Sequence, residues 1–100
     1  MVTLLIREKN VEQYLKRRVE QAGGVCWKWV SPGTVGVPDR FVAFPGQWPY
    51  LIEVKSPGGK LTAIQRRRIE QLRDLGQRAG WVNCYEDVDL FISMRVLRGV

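Results

Sequence analysis

Two runs of strand-forming residues, 39–44 and 50–55, are separated only by Pro45-Gly46-Gln47-Trp48-Pro49. Turn chemistry between runs rich in β-branched and aromatic residues specifies an antiparallel hairpin. That pairing fixes register as well as fold. With the chain reversing near Gly46-Gln47, Asp39 falls opposite Glu53 or Lys55, to within one pair. Side chains alternate along a strand, so Glu53 and Lys55 share one face while Val54 points to the other. The hairpin thus gathers two carboxylates and an ammonium at one end of the sheet. Acidic residues usually avoid strands, yet Glu53 lies inside the most apolar strand of the chain.

The remaining segments arrange themselves around this hairpin. Over residues 8–22, Val11, Leu15, Val19 and Ala22 recur at helical spacing, with Tyr14 beside them. Asn10 and Gln13 have capping-box spacing, and a start one turn earlier is also open. Gly23-Gly24 ends this helix. Residues 25–30 read as a strand and 31–38, with two Pro and two Gly, as a loop. A Gly-containing loop at 56–60 precedes a second helix over 63–77, where Thr62 and Gln65 form a Thr-x-x-Gln box. Gly80 breaks it, and a fourth strand at 81–85 and a short helix at 87–97 complete the order α-β-β-β-α-β-α. This predicts an α/β fold, a mixed sheet flanked by helices, in a single domain over residues 1–100.

The chain of 100 residues contains no histidine. Ser-His-Asp and Cys-His catalysis, His-ligated zinc and an imidazole base are therefore excluded. Cys26 and Cys84 both fall in strand-like runs, where a thiol serves as a small hydrophobe, so a reducing, cytoplasmic compartment is expected. No apolar run approaches the roughly 18–20 residues that span a bilayer, and residues 2–6 are too short for a signal-peptide core. No membrane partner is expected. A net charge of +6 makes nucleic acid the leading partner.

Chemistry must then come from carboxylates, lysine or a metal ion. Two close carboxylates repel, and a divalent cation between Asp39 and Glu53 converts that repulsion into coordination. Mg²⁺ suits such oxygen ligands, and the Val54 backbone carbonyl offers one more. Lys55 would orient the attacking water or neutralise charge on a phosphate. A salt-bridged structural patch of the same three residues is the alternative.

Gly36-Val37-Pro38-Asp39, thirteen further residues, then Glu53-Val54-Lys55 resembles the signature of the PD-(D/E)xK nuclease superfamily. The likeness extends to the VRR-NUC family, small virus-type and bacterial nuclease domains also found in the Fanconi-anaemia-associated nuclease. Glu8 and Glu12 in the first helix, Gly23-Gly24, Lys28, Gly36-Val37-Pro38-Asp39-Arg40, Glu53-Val54-Lys55 and Gln65 carry it. The resemblance spans about residues 8–90. It implies a restriction-endonuclease-like fold, Asp39 and Glu53 as ligands of Mg²⁺ or Mn²⁺, and Lys55 as the catalytic lysine. It makes Gln65 part of the catalytic motif, near the metal-bound water or a substrate phosphate, although Gln65 also suffices as a plain helix cap. Glu12 is within reach of the sheet end as a further metal-site acid, with Glu8 one turn earlier as its competitor.

Lys28 and Arg40 are the preferred phosphate contacts, with Lys60 and Arg66 near the same site. Three consecutive arginines, Arg66-Arg67-Arg68, point to three sides of a helix and cannot form one flat surface. Trp27, Trp29 and Trp81 are expected in the core. Trp48, at the hairpin tip, is free to stack on a base or meet a second subunit. Stand-alone members of the family resemble homodimers acting on four-way junctions, which implies a structure-selective DNA endonuclease in a bacterial or virus-infected bacterial cell. A non-catalytic basic nucleic-acid-binding module on a nuclease fold, and a flap- or nick-directed nuclease, are the alternatives. RNA is a further candidate substrate.

Overall fold

A computed structural model describes residues 5–100. Its elements follow the expected order: α1 (Glu8–Gln21), β1 (Val25–Lys28), β2 (Arg40–Ala43), β3 (Tyr50–Val54), α2 (Ala63–Asp74), β4 (Arg78–Val82) and α3 (Tyr85–Met94). The apolar stretch at residues 2–6 lies, up to Leu4, outside the described residues. Among the described residues no helix is long and apolar enough to cross a membrane, and both cysteines are free.

The four strands lie in the order β1-β2-β3-β4. The hairpin makes β2 and β3 antiparallel, β1 adds antiparallel to β2, and the α2 crossover returns β4 parallel to β3. Strand β3 is therefore central and buried along its whole length, Glu53 included. On one face Val42, Ile52, Val54 and Val82 pack with Val11, Leu15 and Val19 of α1 and with Val88 and Phe91 of α3. On the other, Leu51, Ala79 and Trp81 pack with Leu61 and with Ile69 of α2. Full burial of a side chain such as Leu15, Ile52 or Phe91 is worth roughly 1.5–3 kcal/mol, so both faces hold the central strand firmly.

Four expectations change. Helix α1 starts at Glu8 as expected, but Asn10 is not paired with Gln13 as its cap: Asn10 Oδ1 accepts the Arg7 N–H at 2.9 Å from inside the first turn. Strand β4 begins at Arg78, three residues early, and Gly80 lies within it. That glycine is required by close approach: a Cβ there would stand 2.5 Å from Leu97 Cβ and 2.6 Å from the Arg98 carbonyl. With the strand shifted, Cys84 becomes the half-buried residue that precedes α3. Lastly, Trp81 is buried as expected, but Trp27 and Trp29 are 61% and 41% exposed. Trp27 stands on edge strand β1 and Trp29 directly follows it, and the Phe41 ring lies against both, with centroids 5.9 and 6.4 Å away.

The chain's end closes the other edge. Trp81 and Arg98 exchange backbone hydrogen bonds of 3.1 and 3.2 Å, and Trp81 Nε1 donates to the Gly99 carbonyl.

Candidate active site

The hairpin register pairs Arg40 with Ile52, so one step further Asp39 stands opposite Glu53. On the outer side, the Trp29 N–H donates to the Asp39 carbonyl at 2.7 Å, and on the inner side Glu53 pairs with Trp81. Trp29, Asp39, Glu53 and Trp81 thus form one row across the end of the sheet, Trp29 and Asp39 one residue beyond β1 and β2. Lys55 follows two residues after Glu53 on the same face, and its N–H still donates to the Val82 carbonyl at 2.9 Å, continuing the ladder past Val54.

The loop that delivers Asp39 is clamped to α2. Gly36 has φ of 85°, and a Cβ there would meet the backbone and side chain of Ile64 at 3.0 Å. Only glycine fits both the left-handed backbone and the close approach. Pro38 is fully buried, and Arg68 Nε donates to the Val35 carbonyl at 3.0 Å. One member of the arginine run therefore anchors the loop that leads to Asp39, while Arg66 and Arg67 are exposed.

Glu53 is only 7% exposed. Burial, reinforced by the nearby Asp39 carboxylate, pushes its pKa up to about 7, and Lys55 offsets only part of this. Burial also raises Asp39, with Glu12 adding repulsion, while Arg40 and Lys28 favour its charged form. Asp39 Oδ1 is buried with no hydrogen-bond partner. A buried acceptor without a donor is costly, and a second carboxylate opposite it makes the site short of positive charge. An oxygen-only donor set with an orphaned oxygen fits a hard divalent cation.

The other expected residues distribute unevenly. Glu12 and Arg40 pair with each other at 3.1 Å, and Arg40 alternates to the α1 face of the sheet, opposite to Glu53. Among the described residues no group of three or more Asp, Glu, Cys or His converges, so the acids that face each other number two. Glu8 lies in the exposed first turn of α1, and its charge adds to the repulsion on Glu53. The Val54 side chain points into the α1 core, leaving its backbone between Glu53 and Lys55. Lys28, Lys60 and Arg66 are exposed, Lys28 on the end of β1 and the others flanking the start of α2.

Gln65 makes the expected capping box. Its Oε1 accepts the Thr62 N–H at 2.9 Å, and its own N–H donates to Thr62 Oγ1 at 3.2 Å. Its amide nitrogen has no partner among the described residues. One contributor escaped the sequence reading. Asn83, 9% exposed, donates from Nδ2 to the Gly59 carbonyl at 3.1 Å, while its N–H donates to Asp87 Oδ2 at 3.0 Å. It ties the loop after Lys55 to the end of β4. Asp87 four residues later was its one cue, hidden by the misplaced strand boundary.

Comparison with known proteins agrees with this geometry. The model of the VRR-NUC domain matches residues 6–85. A protein of Acyrthosiphon pisum secondary endosymbiont phage 1 named "Putative nuclease p44" is 45% identical over 74 residues, which cover 74% of this chain and 80% of that protein. A solved structure described as a VRR_NUC domain superposes with a TM-score of 0.81 at 30% identity, covering 89% of this chain and 97% of the other.

Proposed function

The chain belongs to the VRR-NUC family of nuclease domains, and on that premise we propose that it is a DNA endonuclease dependent on Mg²⁺ or Mn²⁺. The observation that carries this reading is the buried Asp39–Glu53 pair with its orphaned carboxylate oxygen, beside Lys55 on the same sheet face. A structural salt bridge would have satisfied that oxygen.

In this mechanism Asp39 and Glu53 would hold the cation, with the Val54 carbonyl as a further oxygen. When bound, it would supply Lewis-acid polarisation of a phosphoryl oxygen and a lowered pKa for water. Lys55 donates to the attacking water or to a non-bridging phosphate oxygen, which orients the one and offsets charge on the other. The Gln65 amide nitrogen donates to the same phosphate from the first turn of α2, where the helix end favours anions. Lys28, Lys60 and Arg66, joined by Arg40, hold the flanking backbone. Such contacts position DNA without reading its bases.

The finer reading is structure-selective cutting of branched DNA by a homodimer. Trp27 and Trp29, exposed at the edge strand, supply apolar area of the kind a second subunit covers. A cleavage panel of linear, flap and four-way-junction DNA, with and without Mn²⁺, tests both levels when paired with a light-scattering mass. Metal-dependent product that vanishes in Asp39→Asn supports the nuclease. Undiminished cutting by clean Asp39→Asn protein overturns the site, and cut flaps with intact junctions from a monomer overturn the finer reading alone.

A further inference from the structure

Two hollows meet at the opposite end of β3 from Glu53. The first, about 540 Å³, is lined by Arg73, Arg78 and Arg95 together with Tyr50 and Gln77. The second, about 510 Å³, shares Gln77 and Arg78 and opens against Trp48, which is 77% exposed. No acidic residue lines either hollow. The arginines in ion pairs among the described residues are Arg18, Arg40 and Arg98.

The three guanidiniums are held by neutral groups. Arg73 Nε donates to the Ala79 carbonyl at 2.6 Å. Arg78 Nη1 donates to the Tyr50 hydroxyl at 3.0 Å, and its guanidinium carbon lies 5.3 Å from that ring's centroid. Arg95 sits 3.7 Å over the Phe44 ring, and its Nε donates to Gln47 Oε1 at 3.3 Å. They are oriented but not neutralised. Three like charges held around one hollow repel each other, and an anion placed between them relieves that repulsion. A guanidinium fork matches the geometry of phosphate oxygens, and an exposed indole offers a flat apolar face for a nucleobase.

We propose that these adjoining hollows are a second nucleic-acid contact, holding a backbone phosphate among Arg73, Arg78 and Arg95 with its base against Trp48. The site rests on the nucleic-acid reading above but uses none of its catalytic residues. Tyr50 and Glu53 are separated by roughly 10 Å along the strand and project to opposite faces of the sheet, so the contact is distinct from the acidic site. Its task is to hold substrate away from the bond being cut.

The test uses the full chain carrying Asp39→Asn, so that binding is read without cleavage. Arginine Nε–H and indole N–H resonances are followed by NMR during titration with a short single-stranded oligothymidylate, with thymidine monophosphate and with inorganic phosphate. The oligonucleotide is expected to shift the Arg73, Arg78, Arg95 and Trp48 signals. Adding Trp48→Ala is expected to weaken its binding about tenfold, as losing one stacked base does. Adding Arg78→Ala is expected to lower the slope of log affinity against log salt by about 0.7, the value of one single-strand phosphate contact. Arg78→Lys keeps the charge and should keep the slope. Oligonucleotide binding that leaves all four signals unmoved overturns the proposal. So do shifts produced by phosphate or the mononucleotide but not by the oligonucleotide, which would assign the hollow to a free anion. An equal loss in Arg78→Ala and Arg78→Lys, with lowered melting temperatures in both, marks a folding role and also overturns it. Cleavage at the acidic end is measured separately with unsubstituted protein, so the two readings fail independently.

Discussion

The two ends of β3 hold charge in opposite ways. At the Glu53 end the charge is acidic, buried and conditional, since burial and Asp39 push the carboxyl up to about 7. At the Tyr50 end it is basic and permanent, because a guanidinium does not lose its proton, and neutral partners hold it near the surface. A group whose charge depends on its surroundings is suited to taking up a cation. A group whose charge is fixed is suited to holding an anion. The net +6 conceals this division between the surroundings of the two ends of one five-residue strand.

The largest test of the division is removal of the acids. Asp39→Asn or Glu53→Gln is expected to lower the metal-dependent cleavage rate by about 10³-fold, of the order seen when a group stabilising transition-state charge is lost. Melting temperature should hold or rise, since a buried like-charge pair is relieved. A rate loss below tenfold would mean that the acidic end is not the chemical one.

Next in size is the pH dependence of stability. In the folded chain Glu53 titrates at about 7 against an ordinary 4.5, so the native state binds the proton more tightly than the unfolded state. The Glu53 contribution to stability is therefore fully present below 4.5 and is lost as pH rises through about 7, by roughly 3 kcal/mol, for the chain without divalent ions. Denaturant unfolding in a chelator should show this loss, and Glu53→Gln should flatten it. Adding Mn²⁺ at neutral pH should recover much of it. An unchanged pH profile in Glu53→Gln would erase the contrast between conditional and permanent charge.

Lys55→Ala should reduce cleavage about 10²-fold, within the range for a lost proton-handling or charge-offsetting group, while oligonucleotide affinity changes less than about twofold. A parallel loss of affinity would make Lys55 a binding residue, like the arginines at the far end. The smallest effect concerns the scaffold. Gly36→Ala should destabilise the fold by about 1–3 kcal/mol, because alanine meets both a left-handed backbone and Ile64. Thermal unfolding measures it, and cleavage by the residual folded protein tells whether Asp39 has moved.

The order of elements, the hairpin, its register to within one pair and the Thr62–Gln65 cap were legible because each is set by neighbouring residues. Turn chemistry joins β2 to β3, and period-two alternation then brings Glu53 and Asp39 together. What was not legible depended on distant segments. Gly80 reads locally as a breaker, yet it sits inside β4 because the chain end crosses there. Trp27 and Trp29 read as core by composition, but both are exposed at the β1 edge of the sheet, and no local pattern reports that. The pairing of Glu12 with Arg40 and the convergence of Arg73, Arg78 and Arg95 arise from elements remote in sequence. Spacing marked the acids; the surroundings of the bases needed the fold.

The C-terminal segment has one more consequence. Trp81 spends its outward N–H and carbonyl on Arg98, and the Ala79 carbonyl is taken by Arg73, so β4 offers little to an incoming strand. Strand β1 is the opposite border of the sheet, with no neighbour beyond it among the described residues. A sheet with one open border and one stoppered border can add a strand on a single side. If two copies met there, each would use up the other's only vacancy, and growth would end at a pair instead of running on into a fibre.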